Sequence, residues 1–178
     1  MVSFETKRLL CFSLNSNDYE VFASGGEPTW IGFTNPYGHL IEGPNPLPYR
    51  IPKVRENPKF AELGLIVAAL KSSREIIGSA GFHDFPDSQG MIEIGFGIVP
   101  EKQRNGYGTE LLLGMWMMIG ARSDVKILRY TVSPTNLPSM RIINKLEFEK
   151  VGEQVDPEDG LELIYERRKD EFLRTLII

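Results

Sequence analysis

Apolar positions along the chain change their period several times, and each change marks an element. Between Met91 and Val99 the run M-I-E-I-G-F-G-I-V is short, β-like and stopped by Pro100. After a polar, glycine-containing turn over Glu101–Gly108, residues 109–121 place Leu111, Leu112, Met115, Trp116, Met118 and Ile119 at helical spacings. Upstream, Thr6–Phe12 predicts a first strand. Leu14–Ala23 predicts a short helix with Asn15, Ser16 and Asn17 as N-cap candidates. Leu63–Leu70 and Glu75–His83, joined by K-S-S-R, predict an antiparallel hairpin. Phe85–Gly90 reads as a turn-rich loop. Lys126–Val132 is β-rich and is followed by a helix from Asn136 to about Leu146, with Pro138 suited to its first turn. Glu149–Val155 and Leu161–Arg167 predict a last hairpin across D-P-E-D-G.

Two segments break the regular pattern. Residues 25–58 hold seven of the chain's twelve prolines (Pro28, Pro36, Pro44, Pro46, Pro48, Pro52 and Pro58), interleaved with Trp30, Phe33, Tyr37 and Tyr49. So many prolines argue against a long regular helix and leave a surface loop or a binding lid. The tail 168–178 carries Phe172, Leu173, Leu176, Ile177 and Ile178, which would be sticky if exposed and are expected to dock on this subunit or a neighbour.

The strand–turn–helix at 91–121 is a ready anion site. The first amides of a helix lack intrahelical acceptors, the dipole is positive there, and Gly106 and Gly108 carry no Cβ to hold a phosphate off. A Walker A loop needs a Gly-Lys-Ser/Thr that this turn lacks. Neither Gly95-x-Gly97 nor Gly106-x-Gly108 completes a dinucleotide G-x-G-x-x-G. What fits is Q/R-x-x-G-x-G/A. Gln103-Arg104-Asn105-Gly106-Tyr107-Gly108 resembles the acetyl-CoA pyrophosphate loop of the GNAT acetyltransferases, and I-E-I-G-F-G-I-V-P resembles the strand before it in the RimJ/RimL-like branch. T-K-R-L-L at the start is similar to that branch's T-x-R-L-x-L-R, with Phe12 in place of the last arginine. V-S-P-T-N-L-P-S-M-R-I-I-N-K-L-E-F resembles V-x-x-x-N-x-x-S-x-x-x-x-x-K-x-G-F, with Glu147 where most members end the helix on glycine. A glutamate there implies a strained cap or another helix exit.

The resemblance spans residues 6–167 and is weakest over 25–58. It implies one α/β domain over 1–178: a mixed, mostly antiparallel, splayed sheet flanked by helices, with 25–58 as an acceptor-side lid. It implies an acetyl-CoA-dependent N-acetyltransferase acting on a primary amine, either a protein N-terminus or a small amine such as an amino acid, polyamine or aminoglycoside. A non-catalytic acyl-CoA-binding module is the alternative from another class. The cofactor-binding residues implied are Phe96, Gly97, Ile98, Val99, Gln103, Arg104, Asn105, Gly106, Tyr107, Gly108, Thr109, Asn136 and Ser139. Glu93 is the candidate general base, with Ile92, Ile94 and Phe96 as apolar surroundings that would raise its pKa. Ser139 is the candidate group at the leaving thiolate. Family habit and the apolar tail make a homodimer a candidate assembly.

Composition narrows the classes. At 178 residues, 42% hydrophobic and 25% charged, the chain suits one domain with a real core. A net charge of −4 and a pI near 5.3 argue against a nucleic-acid binder. No apolar run reaches the length of a membrane span, the first residues lack a signal peptide's pattern, and a single cysteine makes no internal disulfide, so a cytoplasmic protein is expected. Cys11 reads as a small buried hydrophobe. With two histidines, His39 and His83, and one cysteine, no metal set is expected. His83, at a strand end, reads as structural before catalytic.

Overall fold

The computed structural model describes residues 2–43, 45–157 and 160–176. Two compact units emerge, Met1–Asp84 with Phe96–Met115, and Phe85–Gly95 with Trp116–Ile178. Eight strands form a mixed sheet hydrogen-bonded in the order β1-β2-β3-β4-β5-β6-β8-β7. These are β1 (Ser3–Glu5), β2 (Leu9–Ser13), β3 (Ile66–Leu70), β4 (Ile76–Phe82), β5 (Met91–Ile98), β6 (Ile127–Val132), β7 (Glu149–Asp156) and β8 (Gly160–Arg168). The β5–β6 pair is parallel. The β1–β2, β2–β3, β3–β4, β6–β8 and β7–β8 pairs are antiparallel. No described helix is long and apolar enough to cross a membrane.

In the first unit the opening strand expected over Thr6–Phe12 begins only at Leu9, and a short strand, β1, precedes it outside the expected range. β1 and β2 pair Ser3 with Phe12, and residues 6–8 form the turn between them, closed by Thr6 N to the Leu9 carbonyl at 3.0 Å and Leu9 N to Thr6 Oγ1 at 3.1 Å. β3 and β4 are buried along their whole length, so they read as continuous apolar runs and not as alternation. β3 begins three residues later than the pattern predicts, because Ala61–Gly64 takes a helical turn, α3. Helix α1 (Ser16–Ala23) starts as expected. Asn15 Oδ1 accepts from the amides of Asn17 and Asp18, and Asp18 returns the bond to Asn15 N at 2.8 Å.

The proline-rich segment departs from expectation: it contains a ten-residue helix, α2 (Leu47–Glu56). Its prolines sit where they do least damage. Pro46 is the N-cap and Pro48 lies in the first turn, where amides have no intrahelical acceptor. Only Pro52 is interior, and the acceptor it forgoes is the Pro48 carbonyl at the helix start. The rest of the segment is pinned. Phe33 packs on Phe12 with ring centroids 4.7 Å apart, and Thr34 bridges to Glu75. Asn35 binds both the amide and the carbonyl of His39, at 2.9 and 3.1 Å. Cys11 is buried in β2, and burial pushes its thiol up to about 12, as befits a packing residue.

The second unit is built on β6, β8 and β7, the start of β5, the later half of α4 (Tyr107–Gly120), α5 (Leu137–Lys145) and α6 (Lys169–Thr175). Phe172 and Leu173 of the apolar tail dock on their own unit, whereas Leu176 is exposed. Phe172 is fully buried, its ring 6.4 Å from Phe148, which itself stacks 6.2 Å from Trp116. Leu173 lies over Gly120. The remaining tail positions, Ile177 and Ile178, lie outside the described residues, as do Glu158 and Asp159 in the last hairpin's turn. Glu147 adopts the left-handed conformation, φ 53°. Its amide reaches the Asn144 carbonyl and that of Phe148 reaches Ile143, both at 3.2 Å, which is the double closure of a Schellman turn. The family's glycine geometry is therefore kept with a glutamate in it. Arg167 steadies it, donating to the Leu146 carbonyl and pairing with the Glu147 carboxylate at 3.1 Å.

Candidate active site

In the first unit the loop from Gln103 to Gly108 leads straight into α4, which begins at Tyr107, two residues earlier than its apolar pattern predicts. Along the loop φ alternates in sign: −66° at Gln103, 62° at Arg104, 78° at Gly106. Alternation of this kind turns successive N–H groups toward one concave side and makes an anion nest. The two amide side chains are spent on the loop itself. Gln103 Nε2 donates to the Ile98 carbonyl at 2.9 Å, and Asn105 Nδ2 donates to the carbonyls of Gln103 and Lys102 at 2.9 and 3.2 Å. Gln103 N is held by the Pro100 carbonyl, so the amides left to meet an anion begin at Arg104. The Arg104 side chain is exposed, and Thr109 lies half-buried in the first helical turn. A Cβ on Gly108 would stand 3.0 Å from the Phe96 ring, which fixes how closely helix and strand approach.

A cluster that the sequence pattern missed underlies this loop. Glu110, in the first turn of α4, accepts from Thr6 Oγ1, Arg8 N and Arg8 Nε, each at 2.6 Å. Burial pushes the Glu110 carboxyl up, but the hydrogen bonds from Thr6 and Arg8 outweigh it and hold it below its usual range. Arg8 goes on to donate Nη1 to the Asn105 carbonyl at 2.9 Å, and its guanidinium lies 4.3 Å over the Tyr107 ring. Nothing in the spacing of T-K-R-L foretells a bond across about a hundred residues.

Also in the first unit, Val99 is buried and its amide is used on the Ile77 carbonyl of β4 at 2.9 Å. Gly97 is exposed, and a Cβ there would meet nothing within 4 Å. Its carbonyl, in contrast, is approached so closely by β4 that a Cβ on Gly78 would lie 2.2 Å from it. The Gly97–Ile98 stretch thus has open space above it and backbone packed beneath. Another pair was not foreseen: His39 Nε2 lies 2.9 Å from Ser79 Oγ of β4, and burial lowers the imidazole pKa to about 4. His83 ends β4 with its carbonyl accepting from Lys53 Nζ at 2.9 Å, while Asp84 pairs with the same lysine at 2.5 Å.

In the second unit β5 and β6 pair over only three positions, Met91 with Ile127, Ile92 with Leu128 and Glu93 with Arg129. Both strands continue, but among the described residues their pairing stops at Glu93. Glu93 is half-buried. Its apolar sequence neighbours do not surround it: Ile92 and Ile94 are buried on the opposite face, because successive strand residues alternate. The group across from Glu93 on its own face is Arg129, which pairs with Glu166 through Nε at 2.8 Å.

On the other face Tyr130 Oη donates to Ser139 Oγ at 3.1 Å. Ser139 is buried at the start of α5, and its amide donates to Asn136 Oδ1, the N-cap, at 3.2 Å. Asn136 itself is exposed, with its Nδ2 the group left to meet a ligand. Burial pushes the Tyr130 hydroxyl up to about 12 despite the Ser139 bond, so it keeps its proton at neutral pH. Tyr130 sits in an ordinary alternating strand, and its role is visible only once α5 is folded against β6.

Residues 45–149 match the model of the acetyltransferase (GNAT) domain. Two curated relatives from Bacillus subtilis (strain 168) are similar: the uncharacterized N-acetyltransferase YjdG, 35% identical over 78 residues, and YoaA, 29% identical over 82. Those matches cover 44% and 46% of this chain, and the chain spans about half the length of each relative, 46% in both cases. Among solved structures, the ribosomal-protein-S5-alanine acetyltransferase from Vibrio fischeri superposes with a TM-score of 0.67 at 16% identity, covering 97% of this chain and 99% of that one. The spermidine/spermine N-acetyltransferase SpeG from Vibrio cholerae gives 0.66 at 12%, covering 94% and 96%. The fold is thus the GNAT fold, with an open mixed sheet of eight strands flanked by helices, and the chain belongs to the GNAT acetyltransferase family.

Proposed function

We propose that this protein is an acetyl-CoA-dependent N-acetyltransferase that moves an acetyl group to a primary amine by direct attack on the thioester. The observation that carries the reading is the loop at 103–108, whose backbone alternation and helix start fit a diphosphate. When bound, acetyl-CoA supplies an activated acyl group on a thiol leaving group.

The chain's residues then have distinct tasks. Amides from Arg104 to Gly108 receive the diphosphate, and Asn136 Nδ2 the pantetheine arm. A backbone amide at Gly97 or Ile98 stabilises charge developing on the carbonyl oxygen, and the open space over Gly97 leaves room for it. Glu93 takes the amine's proton, directly or through a water. Ser139 donates toward the departing sulfur, and Tyr130, whose proton burial keeps in place, donates in turn to Ser139 Oγ. Glu93 and the Tyr130–Ser139 pair lie on opposite faces of the sheet, just where β5 and β6 stop pairing, so base and acid approach a reacting centre from opposite sides. Glu93→Gln should lower kcat while leaving acetyl-CoA affinity unchanged; an unchanged kcat would dismiss Glu93.

Protein N-terminal amines are the first acceptor class we infer, in keeping with the RimJ/RimL-like motifs. Freeing the neutral amine at pH 7 costs about 1–2 kcal/mol for an α-amine and about 4–5 kcal/mol for an unshifted lysine. Similarity of fold does not choose, since a ribosomal-protein acetyltransferase and a spermidine/spermine acetyltransferase superpose equally well. The test is free-thiol release from acetyl-CoA with N-terminal peptides, polyamines, amino acids and aminoglycosides. Release that depends on peptide supports the reading, release with a small amine moves the acceptor to that class, and acetyl-CoA binding without release from any acceptor favours a binding module.

A further inference from the structure

The geometry points to Arg8 as the positioning residue of the diphosphate loop, an inference that rests on the acetyl-CoA reading above. Arg8 lies in the turn between β1 and β2, remote in sequence from the loop it serves. Glu110 fixes it twice, through its backbone amide and through Nε, and the Tyr107 ring supports the guanidinium plane at 4.3 Å. Held this way, Nη1 points at the Asn105 carbonyl, 2.9 Å off, and Nη2 lies near Gly106, 3.5 Å from where a Cβ would stand.

The consequence follows from the planarity of the peptide bond. In a trans peptide the carbonyl of one residue and the N–H of the next point in opposite directions. By drawing the Asn105 carbonyl toward itself, Arg8 aims the Gly106 N–H away, to the side where the nest opens. Gly106 tolerates either peptide orientation at little cost, since glycine populates positive and negative φ alike. Without Arg8, two side-chain bonds from Asn105 hold the loop's preceding carbonyls, and among the described residues no other bond holds the 105–106 peptide. The guanidinium also adds positive charge behind the loop. A lysine could supply that charge but not the fork that joins Glu110 to Asn105.

The test compares wild type, Arg8→Ala and Arg8→Lys. Acetyl-CoA is titrated by calorimetry. S-acetylpantetheine, which lacks the diphosphate, is titrated by ligand-observed NMR, and melting curves check folding. Losing one oriented charge-assisted amide contact should weaken acetyl-CoA about ten- to a hundredfold in Arg8→Ala, with S-acetylpantetheine affinity unchanged. Arg8→Lys should recover less than half of that loss on a logarithmic scale. Unchanged acetyl-CoA affinity in either variant would overturn the assignment. So would an equal loss for both ligands, which marks a structural role only, or full rescue by lysine, which marks charge alone. If Arg8→Ala does not fold, Arg8→Lys alone decides by the same comparison. A wild-type protein that binds S-acetylpantetheine no less tightly than acetyl-CoA would also refute the loop's role. Failure of the wild type to bind acetyl-CoA at all would remove the cofactor reading itself, and this proposal with it.

Discussion

Lowering the pH from about 7.5 to about 5 should cost this protein roughly 2 kcal/mol of stability through one side chain, His39. Burial lowers its pKa from 6.5 to about 4 in the folded protein, where Nε2 faces Ser79 Oγ at 2.9 Å. In that interval the unfolded chain binds a proton that the folded protein refuses, so stability rises with pH. The contribution is complete above the unfolded value of 6.5 and is lost as pH falls toward about 4. Shifted by about two and a half units, at about 1.4 kcal/mol per unit, the full effect is about 3 kcal/mol, of which roughly 2 kcal/mol has appeared by pH 5. The lowered carboxylates Glu5, Glu20, Glu75, Glu110 and Asp124 act with the same sign, but their loss begins only near their ordinary values of about 4–4.5. Urea unfolding at the two pH values reads the difference. With an m-value near 2 kcal/mol/M the midpoint should drop by about 1 M. His39→Gln keeps a hydrogen-bonding group for Ser79 but cannot titrate, so its midpoint should move far less. An equal pH slope in wild type and His39→Gln would refute the assignment.

Other outcomes follow from single residues. Glu147→Gly should raise stability by up to about 1 kcal/mol in the same unfolding assay: relief of a left-handed backbone is worth about 1 kcal/mol, and although the Arg167 side chain is only 10% accessible, it keeps its bond to the Leu146 carbonyl when the 73% accessible Glu147 side chain is removed. Gly106→Ala places a Cβ at φ 78° in a spot without a steric clash, so it should cost about 1 kcal/mol of stability and weaken acetyl-CoA measurably in calorimetry. Phe172→Ala, which empties the fully buried site beside Phe148, should destabilise by about 3–5 kcal/mol; a change under about 1 kcal/mol would mean that α6 is not part of the core.

Local chemistry was legible where a residue's role depends on its near neighbours. Asn15 and Asn136 could be picked as caps because a cap is satisfied two or three residues away. The strand–loop–helix at 91–120 could be read because its spacing, its proline and its glycines are all contiguous. Glu147 announced its strain because the Schellman turn is itself a local closure. The misreadings share an opposite cause. T-K-R-L-L has a strand's texture, yet residues 6–8 turn, because the local Thr6–Leu9 bonds are joined by bonds to Glu110, more than a hundred residues on. The proline count concealed α2 because three prolines were weighed by number and not by their positions relative to the first helical turn.

Glu93 shows most clearly how far a one-dimensional reading reaches. Its sequence neighbours Ile92 and Ile94 suggest an apolar site, yet pleating sends them to the other face and leaves the cross-strand residue, Arg129, as the true neighbour. The register that places Arg129 across from Glu93 also ends there among the described residues. The proposed acid side is set by the same register one residue later. Tyr130 points away from Glu93 because it follows Arg129, and α5 is capped by Asn136 so that Ser139 meets its hydroxyl. A slip of one residue between β5 and β6 would put tyrosine on the face of the base and arginine under α5. Burial of Ile92 against Leu128 and of Tyr130 beneath α5 opposes that slip, so the same apolar packing that stabilises the second unit also keeps Glu93 and Tyr130, the proposed base and the proposed partner of Ser139, on opposite faces of the sheet.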